Sequence, residues 1–152
     1  MAATAWQLYN SAKRYIGNGT ITLGAGVFKM LLAQTASNAS TFTLSTYASV
    51  TNEISATGGY ATGGKQLVPA AGFWTSGTSA KQMKFTMSTV GLAFTASGAS
   101  LTNIRYAIIR NSTGALAGKL LCFCQLSSSQ FTVTSPNTLT VLPAATGIFT
   151  LT

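Results

Sequence analysis

Asn103–Gln125, NIRYAIIRNSTGALAGKLLCFCQ, decides how the rest of the chain is read. In its first half Ile104, Tyr106 and Ile108 alternate with Arg105, Ala107 and Ile109, so apolar groups fall on both faces of one strand. Such a strand belongs in the middle of a sheet. Asn111-Ser112-Thr113-Gly114 then supplies turn residues, and Ala117–Gln125 resumes an apolar strand, which makes the pair an antiparallel hairpin.

Outward from this hairpin the chain reads as short strands separated by Gly, Ser, Asn and Thr. The expected strands are Thr20–Leu23, Val27–Gln34, Gln66–Val68, Gln82–Ser88, Leu92–Thr95, Asn103–Arg110, Ala117–Gln125, Phe131–Thr134, Thr138–Leu142 and Ile148–Leu151. Met83, Phe85 and Met87 alternate with Lys84 and Thr86, and Phe131 and Val133 with Thr132 and Thr134, so these strands have one apolar face. Pro136-Asn137 reads as a turn that folds Phe131–Leu142 into a second hairpin. One helix is expected over 4–16: Thr4 caps it, Ala5, Leu8, Ala12, Tyr15 and Ile16 share a face, Lys13 and Arg14 suit its last turn, and Gly17 ends it. Turns about every ten residues describe an antiparallel β-sandwich or jelly-roll-like barrel. No internal repeat or linker divides the 152 residues, so the expectation is a single β-rich domain over 1–152 with a glycine-rich loop over 51–65.

Composition narrows function sharply. Glu53 is the only acidic residue, nine are Lys or Arg, and there is no histidine. A paired-carboxylate glycosidase, a Ser-His-Asp triad and a carboxylate Mg²⁺ or Ca²⁺ site are therefore excluded. The expectation is a non-enzymatic protein without metal or cofactor. Charged residues make up 7% of the chain and hydrophobic ones 47%, yet no apolar run approaches the ~18 residues of a membrane span. A surface so poor in charge suits a subunit packed among copies of itself. The +8 charge reflects missing acids more than abundant bases, and the cations are scattered along the chain, so an acidic protein partner is favoured over nucleic acid. Cys122 and Cys124 flank Phe123 and read as small buried hydrophobes; without His or further Cys they cannot complete a tetrahedral metal site.

The segment Thr51–Gly64, TNEISATGGYATGG, is the most distinctive in the chain. Asn52-Glu53-Ile54, Gly58-Gly59-Tyr60 and Gly63-Gly64-Lys65-Gln66-Leu67 together resemble the N-E-[VI], G-Y, G-G-x-x-L pattern of small tailed-bacteriophage virion structural proteins. The short helix ending at Asn18-Gly19, the strand Val27–Leu32 and the central strand Asn103–Ile109 are similar to that group as well. The chain departs from it in lacking Asp, so no metal or charge-based contact is carried over. The resemblance implies a structural part of a phage particle, assembled in the host bacterial cytoplasm. A capsid decoration (cement) protein bound to the major capsid protein leads, as a homo-oligomer and by expectation a trimer. A tail accessory protein (minor tail, tip or fibre-attachment component) bound to tail proteins is the alternative. A carbohydrate-binding module built on Trp6 and Trp74 ranks below both.

Asn52, Glu53, Gly58, Gly59, Tyr60, Gly63, Gly64 and Lys65 are the candidate protein-interaction residues. Both glycine pairs suit positive φ or close backbone approach. Tyr60 is either presented for contact or tucked onto its own sheet. Glu53 is expected to anchor the loop, by pairing with Lys65 or Arg105 or by accepting N–H bonds from Gly58–Gly64.

Overall fold

The computed structural model describes residues 3–69, 71–77, 79, 81–114 and 117–152. The described residues are mainly β, with antiparallel sheets and a single short α-helix among them, in a sandwich-like arrangement. The central strand is β7 (Leu101–Asn111), flanked by β2 (Phe28–Gln34) and β8 (Lys119–Gln125). With β1 (Gln7–Leu8) outside β8 and β3 (Lys65–Gln66) outside β2, the sheet runs β1-β8-β7-β2-β3, and β9 (Phe131–Val133) pairs with the first part of β7. Apolar residues on both faces of β7 explain its place: Ile104, Ala107, Ile108 and Ile109 have no exposed surface. The turn after β7 forms as its residues dictate, with the Asn111 side chain accepting the Thr113 N–H at 2.8 Å.

Two smaller sheets complete the fold. β6 (Leu92–Thr95) pairs with β10 (Thr138–Val141), and β5 (Met83–Phe85) lies between β4 (Trp74–Ser76) and β11 (Phe149–Leu151). An aromatic cluster joins the three-stranded sheet to the central one. Phe28 of β2 meets Phe73 and Phe85 edge-on at 5.2 and 4.9 Å, and Phe85 stacks on Phe149 at 5.2 Å. A second cluster, Tyr9 and Phe42 against Phe123, closes the region beside the helix.

Several expectations are corrected. The helix α1 spans Asn10–Gly17, not 4–16. Thr4 is no cap: its N–H donates to the Gln125 carbonyl and its hydroxyl accepts the Gln125 N–H, which continues the pairing of Gln7 and Leu8 with Phe123 and Cys122. Helical spacing over Ala5 and Leu8 loses to the open edge of β8, whose backbone groups need partners. Thr20–Leu23 turns instead of pairing, though Ile21 and Leu23 are buried. The turn at Pro136-Asn137 is present, but the segments it joins part company: β9 goes to β7 and β10 to β6. Strands β1 and β4 escape a reading by alternation because they hold two and three residues. Cys122 and Cys124 are free and buried. Among the described residues no helix is long and apolar enough to cross a membrane.

Phe85 sits at the centre of the aromatic cluster with no exposed surface. Phe85→Ala is expected to lower unfolding free energy by about 3–5 kcal/mol in denaturant titration, while Val90→Ala at an exposed site changes it by about 0.5 kcal/mol or less. Equal effects would contradict this account of the core.

Candidate functional site

The loop 50–64 lies along the outer edge of β2 and is organised by Glu53. Asn52 adopts φ 52°, a left-handed conformation that Asn tolerates, and its side chain donates to the Ala36 carbonyl at 2.9 Å. Its own carbonyl accepts the Gln34 N–H at 2.9 Å, and the Ile54 N–H donates to the Leu32 carbonyl at 3.1 Å. Glu53 is thereby fixed opposite Ala33, beside the register shift in β2.

From that position the half-buried Glu53 carboxylate collects donors from Tyr60 and Gly63 within the loop and from Tyr47 just before it. Oε1 accepts the Tyr60 hydroxyl at 2.5 Å and the Gly63 N–H at 2.7 Å, and Oε2 accepts the Tyr47 hydroxyl at 2.5 Å. The Tyr60 oxygen in turn accepts the Leu32 N–H at 3.1 Å. One backbone donor on the edge of β2 is thus satisfied by a side chain where no strand lies alongside. The Gly63 carbonyl accepts from Arg110 Nε and Nη2 at 3.2 and 3.0 Å, and the same guanidinium lies over the Tyr47 ring at 4.5 Å. Charge-assisted hydrogen bonds and a cation–π contact interlock Tyr47, Glu53, Tyr60, Gly63 and Arg110.

The glycines are required by space as well as by φ. Gly58 and Gly64 have φ 59° and 81°, and a Cβ at either would run into backbone, the Ala99 carbonyl for Gly58 and the Met30 carbonyl for Gly64. Leu67 closes the motif, buried to 1% with its N–H on the Phe28 carbonyl.

Most of the predicted site therefore converges, but inward. Tyr60 is buried to 6% against Phe94, so its ring is tucked onto its own sheet. Gly58 and Gly63 are buried too, while Asn52, Gly59 and Lys65 are exposed. Glu53 accepts a loop N–H as expected. Neither expected cation is its partner: Lys65 donates to the Ala93 carbonyl at 2.9 Å, and Arg105 lies over Tyr106 with Nε buried and unbonded. Sequence reasoning missed Tyr47 and Arg110, which flank the loop from segments far apart in the chain. Among the described residues no three His, Cys, Asp or Glu lie together. Comparison with protein-family models, with curated proteins and with solved structures finds no match.

Burial, then the hydrogen bond to Glu53 and its negative charge, push the Tyr47 phenol up from 10.0 to about 12, against the pull of Arg110. Burial and the Glu53 bond raise Tyr60 also. Because the folded-state values exceed the unfolded one, the stabilisation is complete below about pH 10 and is lost as pH climbs from there through 12. Phenolate absorbance should show Tyr47 and Tyr60 titrating late, with unfolding in that window; ordinary titration near pH 10 would contradict the network.

Glu53→Gln keeps an acceptor but removes the charge, and is expected to cost about 1–3 kcal/mol, or roughly 2–4 °C in Tm per kcal/mol. Glu53→Ala strands every donor and should cost more. Tm values for both equal to wild type would show the carboxylate to be idle.

Proposed function

We propose that this chain is a bacteriophage virion structural protein, a capsid decoration (cement) protein that binds the assembled head shell and stabilises it. One observation carries the reading. The N-E-[VI], G-Y and G-G-x-x-L residues on which the resemblance rests do not form a loose glycine-rich loop. Glu53 bonds Tyr60 and Gly63, Gly64 packs on Met30 with no room for a side chain, and Leu67 is buried. That Glu53, Tyr60 and Gly63 act through one hydrogen-bond network supports reading the motif as a unit over chance convergence.

Composition and surface support the same reading. With a single carboxylate and no histidine, the role is structural and not catalytic. Val68, Val90 and Leu142 leave 60, 78 and 59% of their surface open. A surface with so few charges and open aliphatic groups suits a subunit covered by neighbours. The working unit is a homo-oligomer, a trimer, within the particle.

Immunogold labelling of intact particles of the phage that encodes the chain is expected to decorate heads at many sites. Label confined to the tail would replace this reading with the tail accessory role, and absence of label would overturn both. Sedimentation is expected to give a mass three times the 15.7 kDa chain, and a strict monomer at high concentration that also fails to bind empty shells would count against the oligomer.

A further inference from the structure

The two-stranded sheet leaves one edge of β6 without a neighbouring strand. Which backbone groups lie on that edge follows from the register. The Ala96 N–H donates to the Asn137 carbonyl at 2.9 Å, one step beyond the Thr95–Thr138 pair. Hydrogen-bonded and non-bonded pairs alternate in an antiparallel ladder, so Phe94 and Leu92 also bond β10, while Ala93 and Thr95 turn their N–H and C=O groups away from it. Two contacts on the far side agree. The Ala93 carbonyl accepts from Lys65 Nζ at 2.9 Å, and the next outward residue, Ser97, donates its N–H to the Gly58 carbonyl at 3.0 Å. Among the described residues, the Ala93 and Thr95 N–H groups have no partner.

This edge opens on a cavity of about 290 Å³ that Ala93 and Thr95 share with Gly59, Ala61 and Gly64. Thr95, Gly59, Ala61 and Lys65 are exposed and Ala93 is half-buried, so the edge can be reached. The loop is not free to close the gap. It is tied to Ser97 at Gly58, to Glu53 at Tyr60 and Gly63, and packs on Met30 at Gly64. The Lys65 side chain bridges the gap, and its ammonium group sits at the Ala93 carbonyl where the N–H of an adjacent strand would lie.

We propose that the outer edge of β6 takes up an extended segment of a partner protein as an added strand, with Lys65 yielding the Ala93 carbonyl to it. The edge itself defines this occupant. Unpaired N–H groups on alternate residues of a strand recur roughly every 6.7 Å, which is also the spacing of carbonyls along one side of an extended backbone. A lone anion would meet only one of them. Gly59, Ala61 and Gly64 leave room for a main chain, and a gap framed by fixed points needs no rearrangement of the loop to receive it. The inference goes beyond the virion reading and does not depend on it.

The test uses the full chain, with the uncharged peptide acetyl-Ser-Thr-Val-Thr-Ser-amide as probe and amide hydrogen exchange followed by NMR. Without peptide, Ala93 and Thr95 are expected to exchange fast and Leu92 and Phe94 slowly. With peptide at several times its Kd, exchange at Ala93 and Thr95 is expected to slow about fivefold or more by mass action. The same peptide N-methylated at its Thr-Val pair, which cannot donate in either register, should lose most of this effect. Lys65→Ala frees the Ala93 carbonyl and is expected to bind the peptide about threefold more tightly. No slowing at millimolar peptide would make Lys65 a guard of a closed edge and overturn the proposal. Equal binding of the N-methylated peptide, or loss of binding in Lys65→Ala, would also overturn it, since strand pairing would not be the mode of contact. Slowing at Ala93 and Thr95 with rising protein concentration alone would give the edge to a second copy in place of a partner.

Discussion

The outer edge of β2 never receives a full partner strand, and the way its backbone is satisfied governs the loop beside it. Leu67 bonds Phe28, β3 covers Lys29 and Met30, and Asn52 and Ile54 serve Gln34 and Leu32. Between these short pairings lies the Leu32 N–H, met by the Tyr60 hydroxyl alone. A phenol can hold that position only if its proton is directed elsewhere, and the Glu53 carboxylate directs it. An unpartnered N–H on this fully buried strand residue would cost about 1–3 kcal/mol, so a charged acceptor in the loop is tied to the integrity of the sheet.

That constraint accounts for the composition of the segment. The loop must pass beneath Ala99 and against Met30, which demands Gly58 and Gly64, and must return to Glu53 at Gly63. Arg110 then fixes the far side by bonding the Gly63 carbonyl. The carboxylate is thus turned inward, while Lys13, Arg14, Lys65 and Lys81 are exposed.

The central hairpin was legible in the sequence because Asn103–Arg110 carries apolar groups on both faces and a good turn follows. The importance of Glu53 was legible from its solitude. Its partners were not. Arg110 reaches the loop only through the fold, and Tyr47, though near Glu53 in sequence, carries no local pattern that marks it. Lys65 looked a natural partner by proximity in sequence, but two residues of β3 carry it to the side facing Ala93. The ends of the chain were misread for a related reason. Thr4–Leu8 has helical spacing, and Phe131–Leu142 looks like a hairpin, yet in both cases bare edges of distant strands supplied better hydrogen-bond partners than the local choice.

Amide hydrogen exchange of Leu32 is the most direct test of this account. In the wild type its N–H is expected to exchange as slowly as the amides of the β2–β7 ladder, and in Tyr60→Phe to lose that protection while the β7–β8 amides keep theirs. A Leu32 amide equally protected in both proteins would show that the Glu53–Tyr60 couple does not close the sheet edge.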